Sequence, residues 1–292
     1  VVPSASIGYK LTDMSNLRLG YNMRIYRPGI WYLNPYLNDT DPSYISQGNS
    51  ELDSEKSHAF NLSYSNFTQK FNINLSARYS FTNNSIENVT KLMPDTEIEG
   101  LKNPTGKDVL YSTYANIGKT RRASVSAYVN WNATPRTRIY MNMSGDYSYM
   151  EGSEGMRNDG WSLFAYGGAQ QTLPHDWRIS LNVFGQTPWI MLQGKGSSFF
   201  DYGLSVNKSF LNKRLTLSAF ASNFFKKYMD QSSTTEGAGF IRESSYKYSR
   251  QRFGISVSYR IGELKASVKK AARTISNDDV KSGGSGSGGG GE

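Results

Sequence analysis

The feature that most constrains this chain is a strict alternation of apolar and polar residues over long segments. In residues 71–81 every second residue is apolar, and the residues between them are Asn, Ser and Arg. The segments 17–25, 123–131 and 253–261 follow the same pattern. A period of two is typical of β-strands that present two different faces. The sequence therefore predicts an all-β chain, with no helix competing before residue 262.

The strands are also long for a globular protein. Weaker alternation adds seven segments to the four strong ones, near residues 5–11, 58–67, 138–149, 161–172, 177–186, 200–210 and 214–224. Several segments alternate over nine to twelve residues, whereas a typical strand has about five or six. Because about nine to eleven tilted residues cross a bilayer as a strand, the sequence predicts an antiparallel transmembrane β-barrel over residues 1–262, with about eleven strands present.

The connections between these strands alternate between short and long. Short polar turns are predicted at residues 12–16, 68–70, 134–137, 174–176 and 212–213. Longer loops are predicted at residues 28–56, 85–121, 151–159, 187–198 and 230–249. This division is typical of outer-membrane barrels, whose short turns are periplasmic and whose long loops are extracellular. We therefore expect the cell outer membrane as the location, with long loops outside and the C-terminus in the periplasm.

Aromatic residues make up 13% of the chain, which fits two membrane interfaces. Trp and Tyr favour the boundary between lipid and water, where the ring is apolar and its polar tip stays hydrated. Aromatic residues of the apolar face fall near strand ends at Tyr79, Phe81, Trp131, Tyr147, Tyr149, Trp161, Trp177 and Tyr259. Outer-membrane lipid is therefore an expected partner. A water-soluble β-sandwich or barrel with an aromatic core is the alternative.

The formal net charge of +9 raises the question of a nucleic-acid partner. Its distribution argues against one, because residues 37–60 are acidic, residues 117–138 are basic, and the other basic residues are mostly scattered along strands. Nucleic-acid-binding proteins usually gather positive charge on one face or in a recognisable module. We expect no nucleic-acid partner.

The strand count has a consequence for topology. The first strand leads into a short turn and the last follows a long loop, so both run toward the periplasm. Single-chain bacterial barrels usually have an even number of strands, and eleven is odd. We therefore expect at least one strand before Val1, which makes the chain the C-terminal portion of a larger barrel. A miscounted strand within residues 85–121 is the competing explanation.

Residues 24–65 carry the most specific family signal. Arg27-Pro28 ends an upward strand, an Asn34-Pro35 turn follows the pair Trp31-Tyr32, and Gly48, Asn49, Leu52, Glu55, Lys56 and Ser57 lead into the next strand. This segment resembles TonB-dependent outer-membrane receptors of the Bacteroidetes type. The segments 3–11 and 114–126 and the tail are similar to the same group. The family commonly has prolines where this chain has Ser50 and Ser54.

The resemblance implies a barrel of about 22 strands closed by an N-terminal plug domain, of which this chain is the C-terminal half. Such receptors import a scarce substrate with energy delivered by TonB. The expected partners are therefore the plug, the remaining strands, TonB through the N-terminal region, and a surface lipoprotein or periplasmic protein. A passive porin-like or structural barrel is one alternative, and a secreted β-rich binding module is another from a different class.

No enzyme activity, cofactor or metal site is expected. His58 and His175 are the only histidines and lie in different regions, without evident catalytic or metal-binding partners. The acidic residues near Asp39 lack the spacing of an EF-hand calcium loop. Transport of an intact substrate breaks no covalent bond.

Two groups of residues are candidates for binding. Lumen-facing arginines on the polar face are Arg18, Arg24, Arg78, Arg138, Arg178 and Arg260. They could pair with plug carboxylates or guide an anionic substrate, or could simply line a water-filled lumen. Aromatic residues of the extracellular loops are Trp31, Tyr32, Tyr36, Tyr44 and Trp189. These could stack on a ligand or pack loop against loop.

Residues 263–292 form a predicted periplasmic tail, basic at first and then rich in Gly and Ser. Apolar residues in 264–275 recur at helical spacing, which allows a short amphipathic helix. A solvated basic tail is the alternative, because isolated helices of this length are marginally stable.

Overall fold

The computed structural model of the chain describes residues 2–262 and 280–281. In chain order the elements are β1 (Ser4–Thr12), β2 (Ser15–Pro28), α1 (Ile30–Leu33), β3 (Asn38–Asp41), β4 (Tyr44–Ser46), β5 (Glu55–Phe67), β6 (Phe71–Pro94), β7 (Asp108–Thr134), β8 (Thr137–Glu151), β9 (Arg157–Leu173), β10 (Trp177–Gln186), β11 (Ile190–Met191), β12 (Gly194–Lys195), β13 (Phe199–Phe210), β14 (Leu215–Ser222), β15 (Tyr228–Gly237), β16 (Phe240–Ser249), β17 (Arg252–Tyr259) and β18 (Val280–Lys281). Two 3₁₀ turns cover Asp95–Glu97 and Ser153–Gly155. Within the described ranges, no helix has the length and apolarity needed to cross a membrane.

Eleven strands form one continuous antiparallel sheet. Their order is β1-β2-β5-β6-β7-β8-β9-β10-β13-β14-β17, so each strand pairs with the next strand of this sheet along the chain, and the hairpin β15–β16 lies in the connection between β14 and β17. These are the eleven strands that the alternation predicts. The all-β class and the antiparallel pairing are confirmed.

The register aligns the apolar residues of neighbouring strands on one face. Ile7, Leu19, Leu62, Ala77 and Val125 are successive partners across five strands. Ile7 is 75% exposed and Val125 is 63% exposed. An apolar face that stays exposed along a whole sheet matches the lipid-facing surface of a barrel.

The opposite face is lined by polar side chains that bond across strands. The hydroxyl oxygens of Ser76 and Ser126 are 2.6 Å apart. Asn61 Nδ2 donates a hydrogen bond to Asn22 Oδ1 at 3.1 Å. Because successive side chains alternate between faces, one sequence pattern produces both the apolar and the polar surface.

Aromatic residues lie at both margins of the apolar face. Trp131 is opposite Phe71 and Ile139 beside the short turns. At the other margin, Trp161 is opposite Tyr147, with 5.4 Å between ring centroids. These positions match those expected of two interfacial girdles.

The prediction of a long loop over residues 85–121 is wrong for most of its length. β6 has 24 residues and β7 has 27, and they remain paired up to Pro94 and Asp108. Register shifts between Thr82 and Ser85 and between Ser85 and Ile86 interrupt the alternation. The sequence period is therefore lost where the two strands continue past the apolar band.

The loop predicted at residues 230–249 is instead the hairpin β15–β16, which joins β11 and β12 in a second sheet of four strands. The sequence of β15 is rich in Ser and Thr and lacks an apolar face, so alternation could not reveal it. The loop predicted at 187–198 contains β11 and β12, and the loop at 28–56 contains α1, β3 and β4.

The long connections pack on three small apolar clusters. Their buried members are Tyr32, Leu52 and Ile86 in the first, Ile45, Ile98 and Val109 in the second, and Met150, Ile190 and Leu192 in the third. Each cluster joins segments that are distant in sequence, so burial of apolar surface stabilises the connections against the ends of the long strands.

β18 pairs in parallel with Arg27 and Pro28, at the long-connection end of β2. The sequence placed the tail at the opposite, short-turn end. The remainder of residues 263–292, including the amphipathic segment 264–275, lies outside the described residues. The boundary between barrel and tail stays a prediction.

Candidate binding site beneath the long connections

A cavity of about 740 Å³ lies on the polar face at the long-connection end of the sheet. Strands β5 to β8 form its floor, and the segment 189–193 lies over it. Its lining combines charged, hydroxyl and aromatic side chains, as in sites that orient a polar ligand by a few placed groups.

Both signs of charge line this cavity. The cations are Arg78 and Arg122, and the carboxylates are Glu55, Glu87 and Asp146. The register places the two cations on β6 and β7, at polar-face positions. Because guanidinium and carboxylate groups occur together, the cavity offers both donors and acceptors to a bound molecule.

Neighbouring groups hold several of these charged side chains in place. Arg122 Nε donates to Ser148 Oγ at 3.2 Å, and the Ser124 hydroxyl donates to Asp146. Glu55 is buried and accepts a hydrogen bond from the backbone N–H of Ile86. The charges are thus fixed in orientation before any ligand binds.

Tyr32 and Tyr114 form an aromatic wall of the cavity. Their ring centroids are 4.4 Å apart at an interplanar angle of 71°, an edge-to-face arrangement that aromatic rings favour. Burial, together with Tyr114, Glu55 and Glu87, raises the pKa of Tyr32 to about 12. The Tyr32 hydroxyl therefore stays protonated at physiological pH and can donate a hydrogen bond.

The five predicted loop aromatics do not form one group. Tyr32 and Trp189 line the cavity. Tyr44 lies elsewhere, with the Arg242 guanidinium 3.8 Å from its ring centroid. Trp31 and Tyr36 are outside the cavity lining, 68% and 71% exposed. A role in ligand contact stays a prediction for all five.

Five of the six predicted arginines lie on the polar face by register, at different heights, and Arg260 directly follows the end of β17. Only Arg78 lines the cavity beneath the long connections. Arg138 and Arg178 line a hollow of about 670 Å³ near the short turns. Arg178 also lines a neighbouring hollow with Arg260. Arg18 and Arg24 line none of these three hollows.

Sequence reasoning missed several residues of the cavity, namely Glu55, Glu87, Tyr114, Arg122, Asp146 and Gln193. A signal existed for Asp146, which occupies a polar-face position of the alternating segment 138–149. None existed for Gln193, which lies in a segment that the pattern treats as loop.

The described residues contain no group of three or more His, Cys, Asp or Glu side chains able to hold a metal ion. The charged, hydroxyl and aromatic groups of the cavity lining can form hydrogen bonds, ion pairs and ring stacking with a bound molecule.

The sequence over residues 1–259 matches the model of a family described as outer membrane protein beta-barrel family. A comparison with curated proteins gives no match. The structural neighbours among solved proteins include receptors and a transporter, and their likeness in fold covers most of this chain.

The siderophore receptor PirA from Pseudomonas aeruginosa is 17% identical with a TM-score of 0.56, over 77% of this chain and 39% of that chain. The copper transporter OprC is 14% identical with a TM-score of 0.59, over 88% of this chain and 40% of that chain. A mutant of the ferric enterobactin receptor PfeA from Pseudomonas aeruginosa, solved with enterobactin, is 18% identical with a TM-score of 0.59, over 88% and 40%. At these identities the likeness shows the fold alone. The chain spans about two fifths of each.

Proposed function

We propose, because this chain belongs to the outer membrane protein beta-barrel family, that it is the barrel portion of a TonB-dependent receptor. The receptor captures a scarce substrate at the long connections and imports it through a plugged lumen. The long connections are extracellular in this proposal, and the short turns are periplasmic.

One topological observation carries the proposal. β1 leads into a short turn and β17 follows a long connection, so both outer strands of the sheet run in the same direction. They could pair with each other only in parallel, whereas every neighbouring pair in the eleven-strand sheet is antiparallel. Unpaired backbone groups are costly in lipid, so antiparallel closure requires an odd number of additional strands.

The share of each structural neighbour that this chain covers supports the same conclusion. About two fifths of each neighbour is matched, which leaves room for further strands and for a domain inside the barrel. A larger barrel encloses a wider lumen, and a lumen of that width needs a plug to remain selective.

The cavity beneath the long connections is the proposed capture site. Arg78 and Arg122 would contact anionic groups of the substrate, while Tyr32 and Trp189 would contact its apolar or aromatic parts. The names of PirA and PfeA make ferric siderophores the first substrates to test. Neither import nor capture requires catalysis, and we propose no enzyme activity.

The passive barrel is the remaining alternative, and conductance separates it from a gated receptor. We expect the full-length protein in a planar lipid bilayer to give no stable channel in potassium chloride, because the plug closes the lumen. We also expect it to bind the C-terminal domain of TonB. A stable open channel, or a failure to bind that domain, would contradict the proposal.

A secreted binding module is disfavoured by the apolar face. That surface runs across all eleven strands with its side chains exposed, and water-soluble proteins rarely expose apolar patches of this extent.

A further inference from the structure

Two cations lie on the apolar face at its long-connection margin. In the register, Lys56 is opposite Ile25, and Arg121 is opposite Phe81 and Tyr149. Closer to the middle of the sheet, the side chains that β5 and β7 present on this same face are apolar and face the lipid. Charged groups on a lipid-facing surface are tolerated near the interface, where they can reach lipid headgroups.

Neutral groups hold Arg121 in place. Its guanidinium donates to Asn83 Oδ1 at 2.7 Å and to the Thr82 carbonyl at 3.2 Å, and lies 5.4 Å from the Phe81 ring centroid. In the described part of the chain, neither Arg121 nor Lys56 forms an ion pair with a carboxylate. Their positive charge is therefore available to an anion from outside the chain.

His58 lies two residues from Lys56 on β5 and is opposite Phe81 on β6. Its Nδ1 is 2.8 Å from the Tyr21 hydroxyl, and its ring stacks on Phe81 with centroids 4.8 Å apart and an interplanar angle of 12°. The imidazole is thus fixed parallel to the Phe81 ring that the Arg121 guanidinium also contacts. Aromatic and basic groups thus form one interfacial patch, which consists of Lys56, His58, Phe81 and Arg121.

A hollow of about 570 Å³ opens beside this patch. Its lining residues are Asp53, Ser54, Lys56, His58, Asn83 and Asn84. Asn83 connects the hollow to Arg121 through its side-chain hydrogen bond. The hollow therefore combines cationic and amide donors with one carboxylate, Asp53, at the edge of a surface that continues as apolar side chains.

We propose that this patch binds a phosphate group of a phosphorylated glycolipid in the outer leaflet. Lys56 and Arg121 contact the phosphate, the amides of Asn83 and Asn84 bond to sugar hydroxyls, and the acyl chains lie on the apolar face below. Guanidinium and ammonium groups are strong phosphate ligands. The assignment to the outer leaflet rests on the orientation in the proposed function.

A soluble anion is a poorer occupant than a lipid. The patch lies above Phe60 and Tyr79, which are exposed on the apolar face. In a membrane this surface is already covered by acyl chains, so a headgroup anchored to those chains reaches the cations at a high effective concentration. A free anion lacks that advantage.

The test measures lipid retention by the full-length receptor in native mass spectrometry, with bisphosphorylated lipid A as the probe. Neutralising both cations by Lys56→Gln and Arg121→Gln should reduce the retained lipid about tenfold or more, because charge-assisted bonds are lost. Lipid A without phosphates should bind the unaltered receptor as weakly as bisphosphorylated lipid A binds the double variant. Heat-modifiable gel mobility confirms that each variant is folded.

Lys208→Gln is the matched control. Lys208 also lies on the apolar face, 5.4 Å from the Trp177 ring centroid, but at the short-turn margin. It should leave lipid A retention unchanged. If the double variant fails to fold, Lys56→Gln alone and Arg121→Lys replace it, each with a smaller expected loss.

Equal retention by the double variant and the unaltered receptor would overturn the proposal. So would an equal loss in Lys208→Gln, or complete displacement of lipid A by inorganic phosphate at the same concentration. Lipid retention is measured without substrate or TonB. If lipid retention does not depend on the two cations, the proposed import function still stands. A stable open channel in the planar bilayer would contradict import and leave the lipid proposal standing.

Discussion

The side-chain amide of Gln193 pairs with both backbone polar groups of Thr90. The Thr90 N–H donates to Gln193 Oε1 at 2.7 Å, and Gln193 Nε2 donates to the Thr90 carbonyl at 2.9 Å. One side chain thus takes the place of a strand neighbour for β6. It ties the β11–β12 hairpin to the long β6–β7 extension over the proposed capture site.

Removing this amide should loosen the hairpin. Gln193→Ala leaves two polar groups of the buried Thr90 without their partner, at a local cost of about 1–3 kcal/mol each. Amide hydrogen exchange of residues 187–198 should become faster. Gln193→Glu is the matched variant, since it keeps the acceptor and loses the donor, and should give an intermediate rate. Unchanged exchange in both would refute this role.

Gly48 should be intolerant of a side chain. A Cβ at this position would lie 2.7 Å from the Tyr32 carbonyl oxygen and 2.9 Å from the Asn34 nitrogen, both backbone atoms. Gly48→Ala should therefore displace the α1 segment that carries Tyr32, and increase proteolysis of residues 29–54. Gly8→Ala is the control, because a Cβ there meets nothing within 4 Å. Equal proteolysis of the two variants would contradict this packing.

The 95–107 connection should loosen in acid. Asp95 accepts bonds from the Thr105 N–H at 2.6 Å and hydroxyl at 2.8 Å, and from the Gly106 N–H at 2.7 Å. The Thr105 N–H bond is the largest influence that lowers the pKa of Asp95. A depressed pKa stabilises the folded form above the unfolded carboxyl value of about 3.9. This contribution is lost as pH falls through the lower folded pKa.

Amide exchange of residues 95–107, corrected for the intrinsic effect of pH, measures this dependence. Protection should fall below about pH 4 in the unaltered protein. Asp95→Asn should show weak protection at neutral pH and little change in acid. A flat profile in the unaltered protein would be inconsistent with the Asp95 bonds.

A charge on the apolar face should impair assembly. Val125→Arg introduces a cation into the middle of the lipid-facing surface, at a cost of about 2–4 kcal/mol. Ser126→Arg places the same charge one residue further on, at the polar face. The fraction of full-length protein that assembles in lipid vesicles, measured by heat-modifiable mobility, should fall for the first variant and remain high for the second. Equal fractions would argue against the assigned faces.

Alternation predicted the eleven strands of the continuous sheet because a period of two is visible wherever one face is apolar. Alternation did not assign Arg121 and Arg122 to a face of the sheet. They are adjacent in a basic run, and only the register separates them: Arg121 is opposite Phe81 at the apolar margin, while Arg122 is opposite Ser80 and lines the cavity.

The rest of the cavity depends on tertiary contacts without a local signal. Glu55 and Glu87 both line the cavity, and Glu87 follows the register shifts near Ser85 that break the alternation. Gln193 reaches Thr90 across 103 positions of sequence. Such contacts depend on how the connections fold over one another, which strand periodicity does not encode.

Accessibility of spin labels along β7 tests the central claim most directly. The chain has no cysteine, so single Cys substitutions at 123–131 can be labelled selectively in the full-length protein in lipid vesicles, provided the rest of that protein also lacks reactive cysteines. We predict high oxygen and low nickel-chelate accessibility at Val125, Ala127 and Val129, with the reverse at Ser124 and Ser126. Accessibility without a period of two, or with the faces exchanged, would contradict a lipid-facing barrel wall.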